Sequence, residues 1–208
     1  MMAQRVYIVD DDEAMRDSLA WLLESQGFAV TAFAAAEDFL AACSEEMAGC
    51  IVLDVRMPGM SGLELYEKLA ARRCSLPVIF ITGHGDVPMA VSALKKGAVD
   101  FIEKPFNDKE LLAVIGQCLA RERATRAQRR REAEAARRLA GLTGREREVM
   151  DLVLAGKLNK QIADVLNISI KTVEVHRARI MDKMAVRSVA ELVQAVLSVK
   201  HSQQGAEQ

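Results

Sequence analysis

The chain has 208 residues, 50% of them apolar and 27% charged, which excludes intrinsic disorder and allows one large domain or two small ones. Its longest uncharged runs, Ser25–Ala36 and Cys74–Gly85, span 12 residues each, short of the roughly 18 needed to cross a bilayer. The net charge of −1 conceals an asymmetry: residues 1–120 carry 10 Lys+Arg against 18 Asp+Glu, residues 121–141 carry 8 against 3, and residues 142–208 carry 10 against 8. An acidic first part joined to a more basic second part predicts two domains with different partners, the second partner anionic. The opening MMAQRVYIVDDDE runs straight into charge and predicts no secretory signal. Cys43, Cys50, Cys74 and Cys118 include no C-x-x-C pair, which argues against a zinc site and against an extracellular disulfide framework. A reducing cytoplasm is the expected setting.

Over residues 1–120 short apolar runs alternate with amphipathic stretches. Val6–Val9, Ala29–Phe33, Ile51–Leu53, Val78–Ile81 and Val99–Ile102 read as five strands, rich in β-branched and aromatic residues. Helical spacing fills the gaps, as in Met15, Leu19, Leu22 and Leu23, and a fifth helix follows with Leu111, Leu112, Ile115 and Leu119. This rhythm predicts an α/β, doubly wound, five-stranded parallel sheet covered on both faces. Residues 121–141 read as a long helical linker extending the fifth helix, because LARERATRAQRRREAEAARRL (119–139) consists mostly of the strong helix formers Ala, Arg and Glu and has no Gly or Pro. Its arginines read as a solvated face.

Residues 142–199 read as an all-α, four-helix domain. Thr143 with Glu146 is a capping-box start; Asn159 is expected to cap a short second helix, Ser169 a longer third and Ser188 a fourth. The few residues around Asn167–Ser169 give helix-turn-helix spacing. Residues 200–208 are polar and expected to be a flexible tail.

Asp10, Asp11 and Asp12 follow the first strand, Asp54 ends the third, Thr82 the fourth and Lys104 the fifth. In an open parallel sheet these strand ends share one rim. Converging carboxylates repel, and Mg²⁺ (or Mn²⁺) is the hard cation that relieves them. A carboxylate beside such an ion, with hydroxyl and ammonium donors nearby, is equipped to accept a phosphoryl group. Any one Asp at a strand end is more often a helix N-cap, and Asp12 is assigned that role; four strand ends bearing groups suited to one reaction are not explained by capping.

IVDDDE, LDVRMPGMSGLE, ITGHGD and FIEKPF resemble, in order and spacing, the motifs of the receiver domain of two-component response regulators, and LTGREREV, NKQIADVLNIS and KTVEVHRARI resemble the LuxR-type helix-turn-helix domain. Together they resemble a FixJ-type transcriptional regulator. The resemblance implies a flavodoxin-like receiver at 1–120 with Asp54 as phosphoacceptor. It implies a metal site of Asp10, Asp11, Asp54 and the Arg56 backbone carbonyl. Thr82 and Lys104 are implied to contact the phosphoryl group, with Thr82 and Phe101 as the switch pair. Gly83 would leave the acceptor open, His84 would tune phosphate lifetime, and Lys104–Pro105 is a candidate cis peptide. The implied partners are a sensor histidine kinase, double-stranded promoter DNA, a second copy of the chain when phosphorylated, and RNA polymerase, with no membrane. A phosphoacceptor with slow autodephosphorylation is implied, not a dedicated enzyme.

On the third helix of the second domain, Val173, Ile180 and Met184 have the spacing of a buried face. That turns Lys171, Thr172, Glu174, Val175, Ala178 and Arg179 outward toward a major groove. Lys171, Thr172, Arg177 and Arg179 suit phosphate; Glu174 suits a cytosine amino group, and Val175 or Ala178 a thymine methyl. His176 is either a DNA contact or half-buried packing. By the resemblance, relatives read bases at the positions of Glu174, Val175 and Ala178, and this chain departs from their lysine-bearing pattern at two of them, so no operator sequence carries over. The competing reading is a haloacid-dehalogenase-type phosphotransferase built on Asp10-Asp11-Asp12, but its pattern wants Thr or Val where Ala14 stands, and it leaves the helix-turn-helix unused. A regulator independent of phosphate is disfavoured by the intact Asp, Thr and Lys set.

Overall fold

A computed structural model describes residues 5–72, 74–83 and 87–204. The chain divides into two compact units, one ending at Arg126 and the other starting at Ala127. In the first, strands and helices alternate: β1 (Arg5–Val9), α1 (Glu13–Ser25), β2 (Ala29–Phe33), α2 (Ala36–Ala42), β3 (Gly49–Asp54), α3 (Gly62–Ala71), β4 (Val78–Thr82), α4 (Val87–Lys95), β5 (Asp100–Glu103) and α5 (Asp108–Ala140). The strands are all parallel, in the order β2-β1-β3-β4-β5.

Alternate strand residues feed two cores, as a parallel sheet covered on both faces requires. Tyr7, Val9, Ile51, Leu53, Val78 and Phe80 pack with Phe39, Leu65 and Leu69 under α2 and α3. On the opposite face Val6, Ile8, Cys50, Val52, Ile79 and Ile81 pack with Leu19, Leu23, Leu111 and Ile115 under α1 and α5. The five strands predicted from sequence are present, with edges set by pairing and not by the apolar run. Thus β3 starts two residues before Ile51, where Gly49 lies opposite Arg5. Gly49 has φ +138°, and a Cβ there would fall 1.7 Å from the Arg5 carbonyl oxygen, so only glycine lets the two strands begin side by side. Val99 belongs to the lead-in to β5, its N–H bonded to Val78 O at 2.9 Å.

Helix α5 runs unbroken for 33 residues, about 50 Å at 1.5 Å per residue, and takes in the segment predicted as a helical linker. The second unit adds α6 (Gly144–Leu154), α7 (Asn159–Leu166), α8 (Ile170–Met184) and α9 (Val189–Gln204) around Leu142, Val149, Met150, Val153, Ile162, Val173, Ile180, Met184, Leu192 and Val196. Two expectations change here. Asn159 is the first residue of α7 and Leu158 precedes it as the cap position, with the Leu158 N–H donated to Gln161 Oε1 at 2.9 Å; a glutamine reaching back replaces an Asn side chain reaching forward. Helix α9 continues through His201 to Gln204, because Ser and Gln sustain a helix once packing has nucleated it. Among the described residues no helix is long and apolar enough to cross a membrane.

The predicted capping box at the start of α6 is present and extended. Thr143 Oγ1 accepts from Glu146 N at 3.3 Å, and the Glu146 carboxylate accepts from Thr143 N at 2.8 Å and from Lys183 Nζ on α8 at 2.7 Å. The Lys183 and Thr143 donors bring the buried Glu146 carboxyl down to about 2. The depressed value fixes the sign: its stabilisation is complete above the unfolded value near ~4.3 and vanishes as pH falls toward 2. Glu146→Gln, which keeps a cap acceptor but not the charge, is expected to cost about 1–2 kcal/mol at pH 7, the exposed Lys183 limiting the loss. Denaturant titrations from pH 7 to 2.5 should show the variant's deficit shrinking in acid.

Candidate functional site

The sheet order reverses between β1 and β3, and the carboxyl ends of strands at such a point form the crevice where ligands bind in open α/β sheets. Asp10 follows β1 and Asp54 closes β3, so two acids meet there. Lys104, just past β5 and before a cis Lys104–Pro105 bond, is tied by its backbone N–H to Thr82 O at 2.7 Å. Its Nζ donates to Asp10 Oδ2 and to Asp54 Oδ1, each at 2.8 Å. The second carboxylate oxygens are also held: Asp12 N donates to Asp10 Oδ1 at 2.9 Å and Arg56 N to Asp54 Oδ2 at 2.7 Å. Asp10, Asp54 and Thr82 are 1%, 6% and 1% exposed.

Burial raises the Asp54 carboxyl above its ordinary value, only partly countered by Lys104. Burial works against the Lys104 ammonium, but the hydrogen bonds to Asp10 and Asp54 outweigh it and its value rises. Two carboxylates therefore share one firmly protonated ammonium, and negative charge remains in excess.

The other predicted residues divide. Asp12 is the N-cap of α1, accepting from Ala14 N and Met15 N, as expected. Asp11 is exposed at the rim. Among the described residues no three His, Cys, Asp or Glu side chains converge to hold a metal as they stand; Asp10 and Asp54 are the pair brought together. The donors available, carboxylate and carbonyl oxygens, suit a hard divalent cation, which would offset the surplus charge. Phe101 is half-buried in β5, its ring 6.2 Å from that of Phe80. Gly83 is exposed, and among the described residues a Cβ there would meet nothing within 4 Å. His84 lies outside the described residues.

In the second unit α7 ends on Asn167, left-handed at φ 51°, and Ser169 caps α8 by accepting from Thr172 N at 3.1 Å, completing a helix-turn-helix. Val173, Ile180 and Met184 are buried, as the spacing predicts. Lys171, Glu174, Val175, Ala178 and Arg179 are exposed on one stretch of α8. Thr172 and Arg177 are half-buried, and the Thr172 hydroxyl is engaged with Ser169 Oγ at 2.8 Å. His176 is half-buried, with a buried Nδ1 that has no hydrogen-bond partner among the described residues.

Residues 6–116 match the response regulator receiver domain and residues 140–196 the bacterial regulatory proteins of the luxR family. The chain is 50% identical over 192 residues to the transcriptional regulatory protein FixJ of Azorhizobium caulinodans, covering 92% of this chain and 91% of that one. It is also 50% identical to the C4-dicarboxylate transport transcriptional regulatory protein DctR of Rhodobacter capsulatus, over 92% and 98% of the two chains. The solved response regulator StyR superposes with a TM-score of 0.87 at 46% identity, covering 94% of this chain and 98% of that one. The chain belongs to the two-component response regulators of the FixJ type. It is a DNA-binding transcription regulator with a receiver domain, which overturns the dehalogenase-type reading: the acids after β1 serve a receiver and the helix-turn-helix is its output.

Three residues that shape the acid rim of this response regulator were not legible as site residues. Arg16 on α1 donates Nη1 to Asp10 O at 2.8 Å and Asp11 O at 2.9 Å, gripping the acid loop by its backbone. Glu37 on α2 accepts from Met60 N at 2.9 Å and fixes the loop after β3. Gly62, first in α3, presses so closely on β3 that a Cβ would lie 2.1 Å from Asp54 O. The sequence holds Arg16 one turn beyond Asp12 and a glycine in the MSG run, but nothing in either spacing names a partner.

Gly62→Ala should therefore displace the end of β3, costing about 1–3 kcal/mol or somewhat more, as overpacking against backbone does, whereas Gly83→Ala should leave stability within about 0.5 kcal/mol. Urea denaturation of the two variants beside the wild type provides the comparison; equal midpoints for both would contradict the close approach.

Proposed function

We propose that this response regulator is switched by phosphorylation of Asp54, with a sensor histidine kinase as donor, and that the phosphorylated chain pairs with a second copy and binds promoter DNA. The observation that carries the reading is the Lys104 ammonium bridging Asp10 and Asp54 at 2.8 Å each, on the rim where Thr82 ends β4. The Asp54 carboxylate attacks phosphorus as the P–N bond of a phosphohistidine breaks, and the imidazole leaves. Lys104 follows the charge onto the phosphoryl oxygens and Thr82 donates to one of them. Asp10, Asp11, Asp54 and the Arg56 carbonyl are the residues to hold Mg²⁺ or Mn²⁺, which when bound supplies further charge neutralisation there. Slow autodephosphorylation returns the resting state, and the chain is no dedicated enzyme.

The proposed organisation is a receiver at 1–120, a helical linker at 121–141, a DNA-binding domain at 142–199 and a tail at 200–208 that opens on the last turn of α9. Thr82 moving toward the phosphoryl group frees space for Phe101 to turn inward and reshapes the α4–β5 face. Val91 and Leu94 on α4, 44% and 43% exposed, are apolar surface suited to receiver–receiver contact. A pair of DNA-binding domains then reads two half-sites, the second arm gaining from effective concentration. On DNA, Lys171, Thr172, Arg177 and Arg179 contact phosphate. Glu174, Val175 and Ala178 face the bases, and the half-buried His176 lies between them as a further DNA contact. RNA polymerase is the downstream partner, in the cytoplasm.

With acetyl phosphate and Mg²⁺, the wild type should gain one acyl phosphate and Asp54→Asn none, read by intact mass. Full labelling of the variant would sink the assignment. Sedimentation with beryllofluoride should convert monomer to dimer in the wild type and less so in Thr82→Ala; a chain equally dimeric in both states refutes phosphorylation-driven pairing.

The DNA contacts separate by their salt response. Lys171→Ala should weaken all sequences alike and reduce the slope of log affinity against log salt by about one. Glu174→Ala should instead shift preference at one or two base pairs by roughly 1–3 kcal/mol, measured by selection from a randomised duplex library.

A further inference from the structure

Cys43 and Cys74 stand 31 residues apart in sequence, yet their Sγ atoms are 3.5 Å apart. Cys43 is the C-cap of α2, its N–H bonded to Phe39 O at 2.9 Å, and Cys74 follows the end of α3, its N–H bonded to Leu69 O at 2.9 Å. Both backbone positions are thus fixed by the helix ends. Both side chains are half-buried against the same core. The other two cysteines, Cys50 and Cys118, are buried on the opposite face of the sheet. Neither the acid rim nor the DNA-reading helix uses the pair.

A disulfide requires an S–S length of about 2.05 Å, so these sulfurs need to close by about 1.5 Å, a movement within reach of side-chain rotation at two helix ends. We propose that Cys43 and Cys74 form a reversible dithiol–disulfide site whose oxidant is a hydroperoxide. One thiol, as its thiolate, attacks a peroxide oxygen; the O–O bond breaks and the departing hydroxide takes up a proton to leave as water. The other sulfur attacks the resulting sulfenic acid, the S–O bond breaks, and a second water leaves with the remaining thiol proton. Two thiols and one hydrogen peroxide thus give one disulfide and two waters. Burial and the adjacent Cys74 thiol push Cys43 up to about 12, which makes the Cys43 thiolate scarce and its attack on peroxide slow. A transient bond of this kind is the form disulfides take in reducing compartments. Once made, it ties the end of α2 to the end of α3, the two helices that supply Glu37 and Gly62 to the acid rim.

The test uses the full chain, reduced and freed of reductant, treated with a small excess of hydrogen peroxide, then denatured and alkylated. The expected result is loss of two of the four alkylatable thiols, a Cys43–Cys74 linked peptide in a non-reducing digest, and return of all four with dithiothreitol. Cys43→Ser and Cys74→Ser should each abolish that peptide and leave the remaining thiol as a dimedone-reactive sulfenic acid. Four thiols still free, a link involving Cys50 or Cys118, or separate sulfinic acids at 43 and 74 would overturn the proposal. The wild-type digest decides the matter even if a serine variant does not fold.

Discussion

Two carboxylates at the carboxyl end of one sheet repel each other, and in this molecule a single ammonium stands between them. Lys104 reaches Asp10 and Asp54 at equal distance, while the backbone N–H groups of Asp12 and Arg56 take the remaining oxygens. Buried carboxylates are tolerated only when paired and hydrogen-bonded, so the architecture around them follows from this requirement. β1, β3 and β5 must end level, the chain after β5 must turn back so that Lys104 N meets Thr82 O, and the acid loop must be gripped from below by Arg16. The pairing is satisfied but not neutral. Negative charge in excess of one ammonium suits the rim to a hard divalent cation.

The sheet serves this rim by being rigid. β3 and β4 are buried along their whole length, with helices on both faces, so their ends are fixed by packing from both sides. The edge is less enclosed: Phe101 on the outermost strand is only half-buried, and α4 beside it has apolar residues in solvent. The buried acid rim thus sits beside a more exposed edge of the sheet.

The helical unit achieves its order differently. Its helices are short, and their ends are fixed by named contacts: Thr143 with Glu146 and Lys183, Ser169 with Thr172, and Arg145 Nη2 donated to Leu166 O at 2.7 Å. The two caps close the starts of their own helices, while Lys183 joins α8 to the start of α6 and Arg145 joins α6 to the end of α7, and the outer stretch of α8 stays exposed.

The sequence by itself determined a great deal here. Strand–helix alternation, the apolar β-branched runs and the acids, hydroxyl and lysine at strand ends specified a parallel sheet and its reactive rim, because period and strand-end chemistry are local properties. Capping by Asp12, Thr143 and Ser169 was equally local, since a cap bonds within its own first turn. The tertiary structure alone decided which residues meet across the chain. Arg16, Glu37 and Gly62 act through the backbone atoms of other segments, and no spacing encodes the 2.1 Å approach that makes Gly62 obligatory. The same holds for Lys183 beside Glu146, and for the contact of Cys43 with Cys74. Such pairs depend on how the helices seat against the sheet or one another, and that is fixed by the summed packing of the core and not by any stretch of residues read alone.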